Sequence, residues 1–136
     1  MLTNKNYKMK KQKYLYFRTD AAIADDDGTG NSACFPLSSL VGMIPTDDNT
    51  LTLFFKSMLN FDGDADGANE FVISDSIALT LTSANTHKAT IEALVGFFGS
   101  PRDGMLVVGD DETGSLEYFS PLISAVATIT VAAANS

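Results

Sequence analysis

One helix-forming stretch in an otherwise strand-forming chain limits the possible fold more than any other feature of this sequence. Within residues 85–99, apolar side chains recur at positions i, i+3, i+4 and i+7, the spacing that places them on one face of a helix: Ile91, Leu94, Val95 and Phe98. A helix of about four turns is marginally stable by itself in water. We therefore expect this apolar stripe to pack against a sheet.

Residues suited to both ends of this helix flank the stretch. Ser83, Asn85 and Thr86 carry side-chain oxygens that can cap the free amides of the first turn. At the other end, Gly99 tolerates the left-handed conformation that often follows a helix, and Pro101 cannot continue the helical hydrogen bonds. The sequence thus predicts a helix that begins and ends within these limits.

The remaining apolar segments have the period of β-strands. Leu51, Leu53 and Phe55 alternate with Thr52, Phe54 and Lys56, and Ile77, Leu79 and Leu81 alternate in the same way, so these two runs are expected to pair. Other strands are predicted at residues 13–18, 104–109, 116–119 and 123–131, a short or edge strand within 32–44, and a turn at 45–49. The predicted fold class is α+β: a strand-rich, mostly antiparallel sheet or sheets with one main helix, at about residues 85–99, packed on a face.

The length and apolar content suit one domain. The chain has 136 residues, of which 45% are hydrophobic, enough to fill one core. We predict a basic N-terminal arm at residues 1–12 and a single globular α+β domain at 13–136. No apolar run approaches the roughly 18 residues that a membrane-spanning helix needs, and residues 14–17 are too short for the core of a signal peptide. No membrane partner is expected.

The charge is divided unevenly between the two ends of the chain. Residues 1–18 contain six basic residues and no acid, whereas residues 19–136 contain only three basic residues and all 17 acids. An acidic body repels phosphates, so nucleic acid is an improbable partner. The basic segment either contacts an acidic surface, including that of a neighbouring copy, or is simply a solvated terminus. The candidate assembly residues are Lys5, Lys8, Lys10, Lys11, Lys13 and Arg18.

The sharpest local motif is an acidic loop with the ligand spacing of a calcium site. Asp62, Asp64 and Asp66 alternate, a glycine follows, and Glu70 stands at the ninth position. The twelfth position, where an EF-hand has a bidentate glutamate, is Ile73, and the flanking segments are typical of strands. A calcium loop of another type and a solvated acidic hairpin loop both fit this pattern, so Ca²⁺ is the one candidate cofactor.

No group of residues in the sequence specifies a reaction. His87 is the only histidine, and no serine, cysteine or carboxylate motif accompanies it, so we interpret it as a polar residue at the start of the helix. Cys34 is the only cysteine; its apolar neighbours favour a buried structural thiol, and an internal disulfide is impossible. Phosphate-binding and nucleophile-elbow motifs are absent from the sequence. The chain is therefore expected not to be an enzyme.

Three stretches resemble a known class of protein. They are KYLYFRTD with the acidic loop at residues 25–27, FPLSSLVGMIPTDDNTLTLFFKSM, and SDSIALTLTSANTHKATIEAL. Together they are similar to small virion structural proteins of marine tailed bacteriophages. The resemblance implies a non-enzymatic subunit of the virion that decorates or builds a capsid or tail in many copies, as a homo-oligomer in contact with other virion proteins. The apolar Phe54 and Met58 would then be covered by a neighbouring subunit.

Overall fold

The computed structural model describes residues 12–19, 30–57, 74–101 and 103–131. In this part of the chain, eight strands, one 3₁₀ turn and one α-helix follow one another. The strands are β1 (Lys13–Arg18), β2 (Ser32–Pro36), β3 (Leu40–Asp47), β4 (Thr50–Lys56), β5 (Ser74–Leu81), β6 (Gly104–Asp110), β7 (Glu117–Tyr118) and β8 (Ile123–Thr130); the 3₁₀ turn is Leu37–Ser39 and the helix is α1 (His87–Phe98).

The strands form two four-stranded sheets. Sheet A has the order β2-β1-β6-β7 and sheet B the order β3-β4-β5-β8. All pairings are antiparallel except that of β1 with β6. The predicted fold class is thus confirmed as strand-rich and mostly antiparallel with a single helix in the described residues. The expected pairing of β4 with β5 is also present, with Leu51 opposite Leu79 and Leu53 opposite Ile77.

The core contains apolar side chains from both sheets and from α1. Alternate residues of a strand point to opposite faces, so one face of each sheet supplies the buried set. Its members are less than a tenth exposed: Leu15, Phe17, Phe35, Leu51, Leu53, Phe55, Ile77, Leu79, Leu81, Leu94, Phe98, Leu106, Val108, Ile123, Val126 and Ile129. Burial of this continuous apolar cluster is the main source of stability of the fold.

Three phenylalanines join the two sheets inside this core. Phe35 of β2 stacks on Phe55 of β4, with ring centroids 4.2 Å apart and planes 8° apart. Phe17 of β1 approaches both rings edge-on, with centroids 6.3 Å from Phe35 and 6.0 Å from Phe55. Such offset and edge-on pairs contribute beyond their buried area. The two sheets therefore contact each other through specific ring pairs as well as through the general apolar packing of the core.

The helix is shorter than predicted and differs at both ends. It spans His87–Phe98; Leu94 and Phe98 join the core, but Val95 is 56% exposed, so its assignment to the buried stripe was wrong. Thr86 is the N-cap and its hydroxyl makes no capping hydrogen bond, because it donates to the carbonyl of Ser83 instead. Gly99 has φ −87°, so the helix ends without the expected left-handed residue.

The segment between β2 and β4 holds more strand than the sequence indicated. The predicted turn at residues 45–49 is only two residues long, because β3 continues through Pro45 to Asp47. A proline is compatible with this strand because β3 lies at the edge of sheet B, where one N–H need not be paired. Pro45 therefore lies within an edge strand and does not begin a turn.

Candidate assembly surface

The outer face of sheet A is apolar although it is turned away from the core. Tyr14 and Tyr16 of β1 lie opposite Met105 and Val107 of β6 in register, so these four side chains form one patch. Tyr14 is 41% exposed and Met105 is 56% exposed, and Tyr16 and Val107 are half-buried. None of the four carries a charge. We call these four residues the outer patch.

The edge strand β2 extends the outer patch. Cys34 pairs with Tyr16 and Pro36 with Tyr14, so both lie on the outer face next to the patch. Cys34 is exposed, which overturns the expectation of a buried structural thiol. Its apolar neighbours in sequence, which suggested burial, belong to a strand whose other face supplies Phe35 to the core. Partial burial still raises the pKa of the Cys34 thiol, which lowers its fraction of reactive thiolate.

Two of the six candidate assembly residues are engaged within the domain. Lys13 Nζ donates to the carbonyl oxygens of Phe98 and Ser100, at 2.6 and 2.5 Å, and so supplies hydrogen-bond donors to carbonyls at and just beyond the C-terminal end of α1. Arg18 is 2% exposed, and its Nε lies 3.7 Å from Asp110 Oδ1. The remaining four candidates, Lys5, Lys8, Lys10 and Lys11, lie outside the described residues.

Asp111 connects the turn after β6 to the edge of sheet B. Tyr118 Oη donates to Asp111 Oδ1 at 2.5 Å, and the backbone N–H of Val126 donates to Asp111 Oδ2 at 3.1 Å. The Asp111 N–H itself donates to the carbonyl of Arg18, at 3.1 Å. This carboxylate, one of the three in the acidic turn at residues 110–112, therefore links both sheets and has a structural role.

The same contact changes the acidity of Tyr118. Burial raises the pKa of Tyr118 above its ordinary value, and the hydrogen bond to Asp111 and the negative charges of Asp111 and Asp110 raise this pKa further. All of these effects favour the protonated phenol. The folded chain therefore retains this proton at pH values where the unfolded chain releases it.

This shift predicts that stability falls at alkaline pH. The contribution of Tyr118 is complete below the ordinary tyrosine pKa of about 10 and is lost as pH rises above that value. We expect the melting temperature of the wild-type chain to fall more steeply above pH 10 than that of Tyr118→Phe, which has no phenol proton. Thermal melts from pH 8 to 11 measure this, and equal slopes for the two proteins would contradict it.

His87 has a structural contact instead of an open position. Its Nε2 donates to the carbonyl oxygen of Asp47 at 2.8 Å and lies 3.2 Å from the carbonyl oxygen of Thr50. Carbonyl oxygens only accept hydrogen bonds, so Nε2 carries a proton. The residue thereby ties the start of α1 to the β3–β4 turn, in agreement with its interpretation as a polar residue at the helix start.

The predicted calcium loop cannot be placed in this structure. Asp62, Asp64, Asp66 and Glu70 lie outside the described residues. Among the residues that are described, no three His, Cys, Asp or Glu side chains come together as a possible metal site. In the same part of the chain, no helix has the length and apolar character to cross a membrane. Calcium binding stays a prediction.

The sequence does contain an indication of the outer patch. In β1 and β6 apolar residues occupy both faces, since Tyr14 and Tyr16 alternate with Leu15, and Met105 flanks Leu106. A strand that is apolar on both faces indicates that both faces become covered. Here the core covers one face only.

Phe54, expected at a subunit contact, is half-buried on the outer face of sheet B, and Met58 is outside the described residues.

Comparison with known proteins finds no matching family model, no matching curated protein and no matching solved structure.

Proposed function

We propose that this chain is a non-enzymatic structural protein of a tailed-phage virion. It associates with copies of itself, or docks on a capsid or tail, as a decoration or structural subunit. The observation that carries the proposal is the outer patch, an uncharged group of tyrosine, methionine and valine side chains on the solvent side of a rigid sheet. The resemblance to virion structural proteins supports the same class of function.

The composition of the outer patch is that of a protein–protein contact. Tyrosine and methionine are enriched at the centre of protein interfaces, and charged residues are depleted there. A sheet supported from behind by the core changes shape little on binding, so little ordering free energy is lost. The patch is uncharged and partly exposed, which suits contact with another protein surface.

Electrostatics supports association through the N-terminal segment. The lysines Lys5, Lys8, Lys10 and Lys11 precede β1 in sequence, and the body that follows is strongly acidic. Opposite charges on two parts of one chain favour contact between copies, and this attraction is screened by salt within about 10 Å at 0.1 M. The proposal therefore includes a salt-sensitive contribution to assembly.

Deleting residues 1–11 is expected to weaken assembly without unfolding the domain. The deletion stops before Gln12 because the carbonyl of Gln12 accepts a hydrogen bond from the N–H of Gly104. Light scattering of the wild-type chain should give a discrete oligomer, whose mass falls toward that of the monomer in the deletion variant and at 1 M salt. Melting temperature is the control and should stay within a few degrees of the wild-type value.

Two results would contradict this proposal. A wild-type chain that remains monomeric at high concentration, and that is missing from purified phage particles by mass spectrometry, leaves no basis for a virion role. The alternative function, a calcium-stabilised interaction module built on Asp62, Asp64 and Asp66, is separated in the same experiment. It requires millimolar Ca²⁺ to raise the melting temperature, which the assembly proposal does not.

A further inference from the structure

We draw no further inference here: the strongest candidate, the outer patch of sheet A with its continuation onto Cys34 and Pro36 of the edge strand β2, belongs to the surface already described, and nothing in the described part of the chain shows what covers it.

Discussion

Replacing Phe55 with alanine is expected to lower the free energy of unfolding by about 3–5 kcal/mol, the usual cost of removing a buried phenylalanine. Phe55 is fully buried and stacks on Phe35 while receiving the edge of Phe17. Phe55 is the ring that sheet B supplies to this three-ring cluster, so its removal takes away the ring contacts of Phe17 and Phe35 across the two sheets. Domains of this size are stable by about 5–15 kcal/mol, so a large part of the total is lost.

Phe54→Ala is the matched control for this substitution. The two residues are adjacent in β4, and the same atoms are removed, but Phe54 is half-buried on the outer face of sheet B. We expect the melting temperature to fall by roughly 10–20 °C for Phe55→Ala and by much less for Phe54→Ala. Differential scanning calorimetry measures both. Equal losses would mean that the three-ring cluster adds nothing to the stability of the core.

Gly109→Ala is expected to destabilise the chain by about 1–3 kcal/mol, because the added methyl group overpacks the space between the sheets. A Cβ at Gly109 would lie 2.6 Å from Val126 Cγ2 and 3.5 Å from Tyr118 Cδ1. The Val126 side chain branches at Cβ and has few alternative rotamers, so it cannot move aside easily. The strand pair β6–β7 must then shift relative to β8, which also strains the Asp111 contacts.

A double-mutant cycle isolates the cause of that loss. Val126→Ala removes the Cγ2 atom that the new methyl group would meet, so the double variant should lose less stability than the sum of the two single variants. Gly42→Ala is the control, since no atom lies within 4 Å of its Cβ position. Urea unfolding curves give the three differences. Strictly additive losses would show that contact with Val126 is not the source.

The periodic segments were predictable because their residues interact locally. The boundaries of β1 agree with the prediction, and the apolar faces of β4 and β5 follow the alternation of residues such as Leu51 and Ile77. The errors arose where a tertiary contact overrides a local preference. Val95 has the helical spacing of the apolar stripe but is exposed, and Thr86 donates to a carbonyl instead of capping an amide.

The candidate site was less predictable than the fold. The sequence identified the charge division and the aromatic character of β1, but not that Lys13 binds the end of α1 or that Arg18 is buried beside Asp110. Those contacts join residues 85 and 92 positions apart, and no local pattern encodes them. The contact of the Asp111 carboxylate with the Val126 N–H, which joins the two sheets, also depends on tertiary structure.

The sequence by itself determined the kinds of element, their order and the strong division of charge, since these follow from residue spacing and composition. Tertiary structure alone decided that the strands divide into two sheets, that β1 lies parallel to β6, and that Cys34 is exposed on the edge strand β2. The physical reason is that the alternation of residues along a strand indicates which face is apolar, but it does not indicate which other part of the molecule covers that face. The covering surface is chosen by long-range packing, and on the outer side of sheet A we propose that it is another protein surface, from a second copy of the chain or from another virion protein.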